Sequence, residues 1–265
     1  MNRVDGKVAI VTGAAGGIGS ATCRLLAKCG AIVIATDLRE ADGKRLVDSI
    51  RSGGGQAQFF THDVTRDAQW AQIFAAVLKE HGKVDILVNN AGIYRHGRTE
   101  DVDDHAIHEM FDINLKSVVL GTKHAFLAMK QRPAGAPAAT IVNLSSVAGL
   151  IGSPNSTLYG LSKGGVRLFT KSTALEAAAL GYNIRVNSIH PGIIDTDMAQ
   201  QGVAGAMRER GVAAGGEQQA MAAAHPLGRM GQAEEIARGI VWLASDDSSF
   251  MTGSEMVVDG GFTAR

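Results

Sequence analysis

Short apolar runs rich in Val and Ile alternate along the chain with longer stretches of helical period. The first run, 8–11, is followed by a helix pattern over 17–28. The alternation then repeats: strands at 32–35, 58–61, 84–88, 140–144, 185–189 and 256–258, with helices at 40–52, 67–80, 103–129, 157–180 and 233–244. Strands rich in Val and Ile, separated by helix-length crossovers, predict a parallel sheet covered on both faces. Right-handed crossovers make this an α/β doubly wound Rossmann fold of about seven strands. No linker composition and no repeat interrupts the pattern, so residues 1–265 read as one domain. Two segments fall outside it. Residues 132–139, rich in Pro and Ala, read as a surface loop. Residues 196–227 form a long excursion near the carboxyl edge of the sheet, where such segments usually serve as lids or binding loops; the expected substrate-binding loop covers about 195–228.

Glycine is the compositional outlier, at 33 of 265 residues, or about 12% against a usual share of about 7%. With five prolines and no three-residue period, the glycines must be positional. Four of them, Gly13, Gly16, Gly17 and Gly19, lie directly after the first strand and open the first helix. Such a loop lets backbone approach a pyrophosphate, whose charge then rests on the unpaired N–H groups and positive end of the helix. A glycine-rich turn without a ligand is the competing reading. Asp37 ends the second strand 18 residues after Gly19, about where an acid that binds a ribose is expected. It also reads as a solvated strand-end acid. In the binding reading its carboxylate accepts from both adenosine hydroxyls and repels a 2′-phosphate. No Lys or Arg occupies the loop and Leu38 follows Asp37, which favours NAD over NADP; Arg39 is the one cation nearby.

The 26 basic and 26 acidic residues cancel. A balanced chain offers neither the basic stripe of a nucleic-acid binder nor the cationic amphipathic face of a membrane-surface protein. No apolar run reaches the length of a membrane span, and Asp5 and Lys7 stand where a signal peptide needs apolar residues, so a cytoplasmic protein is expected. Cys23 and Cys29 match neither zinc spacing nor a disulfide framework, and the histidines form no ligand triplet, so no metal is expected.

Further along, Tyr159 and Lys163 stand at i and i+4 of a helix and share a face. Alone, this pair is usually only a helix face. A phenol titrates near 10, and a cationic neighbour favours its phenolate; bringing it near 7 takes about 4 kcal/mol of differential interaction. Lys163 and an oxidised nicotinamide are the two cations expected to provide it. Tyr159 is then the general acid/base toward a carbinol hydroxyl. Ser146, thirteen residues earlier, is expected to donate a hydrogen bond to the same oxygen, with Ser145 as its competitor.

The spacing Thr12-Gly13-x-x-x-Gly17-x-Gly19 and the ordered motifs after it resemble the short-chain dehydrogenase/reductase family over essentially the whole chain. Those motifs are Asn89-Asn90-Ala91-Gly92, Asn114, Ser146, Tyr159-x-x-x-Lys163, the stretch from Pro191 to Thr196, and Asp259-Gly260-Gly261. The resemblance implies that Ser146 holds the substrate oxygen, Lys163 also holds the nicotinamide ribose, and Asn114 carries a water-linked proton path. It puts Ile18 and the loop glycines at the pyrophosphate, Asp63 and Val64 at the adenine, and Asn90, Ala91 and Gly92 at the adenosine ribose and the approach to nicotinamide. Pro191, Gly192, Ile194 and Thr196 fall at the nicotinamide end. Asn89 reads as a structural tie, and Asp63 reads equally as a strand-end cap. His190 reads as structural.

The expected activity is hydride transfer between NAD(H) and a hydrophobic secondary alcohol or ketone, alicyclic or steroid-like. An NADPH-dependent ketone or 3-oxoacyl reductase is the runner-up, and a catalytically silent nucleotide-binding regulator the alternative outside enzymes. Met198 and Met207, with Val203, Val212 and Met221, give the loop an adaptable apolar composition. Tyr94 and His96 are candidates for the opposite wall, His96 reading equally as a solvated loop histidine. Family members are commonly homotetramers packed through the helix that carries the tyrosine. Here that helix has Gly164, Gly165, Val166, Leu168 and Phe169, more than one core-facing stripe requires.

Overall fold

The computed structural model describes residues 3–132, 135–203, 211–213 and 215–264. Seven strands, β1 (Val8–Thr12), β2 (Ile32–Asp37), β3 (Gln56–Thr61), β4 (Ile86–Asn89), β5 (Ala139–Leu144), β6 (Ile184–Pro191) and β7 (Glu255–Val258), form one sheet. The order is β3-β2-β1-β4-β5-β6-β7 and every pairing is parallel. The helices between them are α1 (Gly17–Lys28), α2 (Glu40–Ser52), α3 (Asp67–His81), α4 (Asp104–Phe111), α5 (Ser117–Met129), α6 (Thr157–Ala179), α7 (Glu217–Ala223) and α8 (Ala233–Ala244).

Strand alternation builds two cores. Ala9 and Val11 of β1 join Leu26, Leu46, Ile236 and Ile240 under α1, α2 and α8. Val8 and Ile10 join Trp70, Phe74, Met129 and Ala177 under α3, α5 and α6. Each strand side chain this fully buried contributes about 1.5–3 kcal/mol, so a one-residue slip of β1 would forfeit both layers. β1 has β2 on one side and β4 on the other, so the chain winds outward in both directions from it. The carboxyl ends of β1 and β4 therefore open a crevice at the point where the strand order reverses, the place where such sheets bind ligands.

The single helix expected over 103–129 is interrupted. α4 and α5 are joined by a π-helical turn, Asp112–Lys116, that contains Asn114. The extra residue in that turn rotates the buried Asn114 toward the loop after β4, a placement that regular helical period cannot signal. Part of the segment expected to be loop is also helical, since α7 lies within 196–227.

Candidate active site

A cleft of about 1020 Å³ runs along the carboxyl edge of the sheet, from Gly13–Ile18 and Asp37 past Asn90–Tyr94 to Ser146, Tyr159, Lys163 and Pro191–Met198. Its first wall is the glycine loop. Gly13 takes a positive φ of 61° and lies so close to β4 that a Cβ there would be 2.9 Å from both Ala91 Cα and Asn90 Nδ2. Gly16 caps α1 with no side-chain hydrogen bond and no acid follows in the first turn. The first N–H groups of α1 are thus turned toward the cleft without a side-chain acceptor, a fit for a pyrophosphate. Ile18 borders the same loop, and Thr196 stands against it, its methyl 3.0 Å from a Cβ built on Gly17.

Asp37 is held ready at the end of β2. One carboxylate oxygen accepts from Ala15 N at 2.9 Å and the other from Arg39 N at 2.9 Å. A carboxylate has about four lone-pair sites, so acceptor capacity remains for ribose hydroxyls. Arg39, the one cation expected near this end, reaches the loop itself. The Arg39 guanidinium folds back over Gly16, where a Cβ would collide with it, and pairs with Asp37 at 3.5 Å and Asp42 at 3.4 Å. The side chain spans a gap that sequence distance from the loop does not reveal. Leu38 is exposed at the rim, Val64 is buried in the wall, and Asp63 uses one oxygen to hold Thr65 N and Oγ1.

Asn90, expected at the adenosine ribose, is a structural tie in the fold. Its amide donates to the carbonyls of Thr12 and Gly13 at 2.8 and 3.0 Å, locking the β4 loop to the glycine loop. Asn89 ties strands as expected, donating to Asn143 at 2.8 Å. Asn114 clamps Ile93 from both sides, accepting from its N–H at 2.8 Å and donating to its carbonyl at 2.9 Å.

Ser146, Tyr159 and Lys163 converge at the cleft floor. The two serines separate cleanly: Ser145 spends its hydroxyl on the Lys163 carbonyl at 2.9 Å, while Ser146 accepts from Ala148 N at 3.1 Å and keeps its hydroxyl proton for the cleft it shares with Tyr159. Lys163 Nζ donates to the Leu144 carbonyl at 2.9 Å, lies 5.7 Å from the Tyr159 ring centre, and would sit 3.4 Å from a Cβ on Gly92. Between these two residues alone, burial outweighs the pull expected of Lys163 on the phenol. Burial pushes Tyr159 up to about 12, with the Ser146 hydrogen bond as the opposing influence, and burial brings Lys163 down to about 8. Desolvation disfavours both charges, and the ammonium faces the ring rather than the hydroxyl.

On the substrate side, Tyr94 packs edge-on against Tyr159 with ring centres 4.9 Å apart and pairs its hydroxyl with Ser156 at 2.8 Å. Met198 lines this end half-exposed, whereas Met221 is fully buried on α7 and His96 is absent from the described lining. Met207 and Val203's side chain lie outside the described residues. Ser156 and His225 escaped the sequence reading. His225 Nε2 accepts from Ile193 N at 3.1 Å and its Nδ1 donates to the Met221 carbonyl at 2.9 Å, fastening α7 to the loop after β6. Neither residue belongs to a spacing motif that could have marked it.

Among the described residues there is no helix long and apolar enough to cross a membrane and no His/Cys/Asp/Glu group able to hold a metal. The profile of the enoyl-(acyl carrier protein) reductase family matches residues 13–263. A cyclopentanol dehydrogenase from a Comamonas strain is 42% identical over 100% of both chains. An NADP-dependent (R)-specific alcohol dehydrogenase from Lentilactobacillus kefiri is 37% identical over 100% of this chain and 99% of its own. The crystal structure of gox2181 superimposes with a TM-score of 0.88 at 34% identity, over 100% of this chain and 98% of that one. With this similarity running through the glycine loop, the β4 loop and the Ser, Tyr and Lys of the cleft floor, the chain belongs to the short-chain dehydrogenase/reductase family.

Proposed function

We propose that this protein is an NAD-dependent dehydrogenase of uncharged alicyclic secondary alcohols, working reversibly with the matching ketones. The observation that carries the reading is the convergence of Ser146, Tyr159 and Lys163 at the floor of one cleft, with Lys163 Nζ over the Tyr159 ring and an uncapped helix N-terminus at the other end. When bound, the oxidised nicotinamide supplies the hydride acceptor and a positive charge at this floor. Tyr159, as phenolate, takes the alcohol proton. Ser146 donates to the same oxygen and steadies the charge that develops there. Lys163 holds the ribose and, once charged, favours the phenolate; Asn114 keeps the β4 loop in register and carries the water-linked proton path.

The substrate class rests on the apolar lining by Ile113, Ile151, Pro154, Met198 and the Tyr94 ring, and on the cyclopentanol relative. Asp37 favours NAD by accepting from the ribose and opposing a 2′-phosphate. Arg39 beside Gly16, together with the NADP-dependent relative, supports NADP use as the second reading. The test is oxidation of cyclopentanol and cyclohexanol, followed by nicotinamide absorbance with each cofactor, in the parent and in Asp37→Ala. NAD should be preferred by the parent, and the variant should lose about tenfold or more of that preference, the worth of a charged hydrogen bond. An unchanged ratio would show that Asp37 does not read the ribose.

Self-association as a homotetramer belongs to the same proposal, as does a cytoplasmic location. Leu161, Leu168 and Leu175 recur every seven residues on α6 and are 59%, 65% and 72% exposed, with Leu127 of α5 also exposed. An apolar helical stripe of this length facing outward supports burial against a second copy. Leu168→Glu should shift the sedimenting species to a smaller assembly, whereas an unchanged distribution would place the contact elsewhere.

A further inference from the structure

The imidazole of His190 is fully buried at the end of β6 and has no place in the chemistry described above. Its Nδ1 lies 3.1 Å from the carbonyl oxygen of Ser146, and its Nε2 lies 2.8 Å from Ser188 Oγ. A carbonyl only accepts, so Nδ1 carries the proton; Nε2 is then the acceptor and the Ser188 hydroxyl its donor. Both ring nitrogens are satisfied by one neutral tautomer, and burial lowers the pKa of the ring, in keeping with that form.

The backbone explains why a side chain is needed there. The β5–β6 ladder runs as far as Ser145 N donating to the Ile189 carbonyl at 2.9 Å. In a parallel ladder the next donation back to β5 comes from the residue two further along β6, and that residue is Pro191, which has no N–H. The sheet therefore stops holding β5 one residue before Ser146. Ser146 itself is extended, with φ −169° and ψ 163°, and heads the short turn Val147–Gly149 by accepting from Ala148 N at 3.1 Å. The proline thus leaves the Ser145 carbonyl without its ladder donor, and His190 takes hold one residue further on, fastening the carbonyl of Ser146 to the same strand end that continues into Pro191 and Gly192.

We propose that His190 is a positioning residue for Ser146, fixing its hydroxyl against Tyr159 and the substrate oxygen. The inference rests on the role of Ser146 proposed above, and a double-mutant comparison separates the two. His190→Leu should lower kcat about tenfold to a hundredfold, the scale on which small misplacements of a reacting group act, with NADH affinity within a few-fold of the parent. In a Ser146→Ala background the same substitution should cost about twofold or less, because the group it positions is gone. A purely structural His190 would lower kcat by the same factor in both backgrounds, which would overturn the inference, as would an unchanged kcat in His190→Leu. If Ser146→Ala alone leaves kcat unaltered, the role of Ser146 fails first. Should His190→Leu fold poorly, the pair His190→Asn and His190→Gln decides the matter. Asn places an amide donor where Nδ1 stands, whereas Gln reaches only the Nε2 position. Asn should retain kcat within about fivefold while Gln behaves like the loss variant; equal kcat in the two would overturn the assignment.

Discussion

Tyr159→Phe should bind NADH within a few-fold of the parent and turn over about a hundredfold to ten-thousandfold more slowly, the usual worth of a placed acid/base group. That loss corresponds to about 3–5 kcal/mol of barrier. Binding should survive because the substitution removes one oxygen and leaves the ring against Tyr94 at 4.9 Å, so the floor keeps its shape. The loss is large because no neighbour can substitute. Ser145 is committed to the Lys163 carbonyl, Lys163 to Leu144, and the Tyr94 hydroxyl to Ser156. The pH profile adds a second check. With its pKa held up by burial, Tyr159 is protonated across the neutral range. Alcohol oxidation needs the phenolate and should rise steadily with pH through the neutral range; ketone reduction needs the phenol, already fully present, and should stay flat there. Parent rates measured in both directions should show one rising and one level profile, and Tyr159→Phe should flatten the rise. Turnover in the variant within a few-fold of the parent would end the proposed chemistry.

What the sequence made legible and what it hid divide along physical lines. The central strands β1, β4, β5 and β6 are buried on both faces, so their positions stand out as runs rich in Val and Ile, and the boundaries of α1, α2 and α8 follow from helical period. Gly13, Tyr159 and Lys163 were legible because each role imposes a residue type at a fixed spacing. Asn114 was legible as a residue but not in its setting, since a π turn adds one residue without changing composition. The reach of Arg39 over Gly16 depends on rotamers and on Asp42, neither of which spacing encodes. The upward pull on Tyr159 was missed for a related reason. Charge proximity can be read from i and i+4, but whether an ammonium faces a hydroxyl or a ring, and how far water is excluded, depends on packing. The segment around α7 hid most: His225 acts through the backbone of Ile193, a contact 32 residues away that follows from no local pattern.

Gly19→Ala should cost the protein both cofactor affinity and stability, although it replaces glycine inside a helix. By intrinsic propensity the change favours α1 by about 0.5–1 kcal/mol. Position reverses the sign. A Cβ on Gly19 would strike the Gly13 carbonyl oxygen and come within 2.7 Å of Asn90 Nδ2. Neither can step aside easily, because that amide donates to both the Thr12 and Gly13 carbonyls, and this is the bond that ties the β4 loop to the glycine loop. Overpacking a closed site costs about 1–3 kcal/mol, which exceeds the propensity gain. The backbone relieves the clash by opening the loop, which turns the first N–H groups of α1 away from the pyrophosphate. NADH affinity, followed by fluorescence, should fall about a hundredfold if roughly two charge-assisted hydrogen bonds are lost. The melting temperature should fall by about 2–4 °C for each net kcal/mol lost in a chain of this size. The two readouts should move together, because one contact between the glycine loop and the β4 loop both closes the crevice and shapes the phosphate site. A variant that melts higher than the parent and keeps its NADH affinity would mean that α1 can shift to admit the methyl, and that the closeness of Gly19 to Gly13 is not what holds the phosphate loop in place.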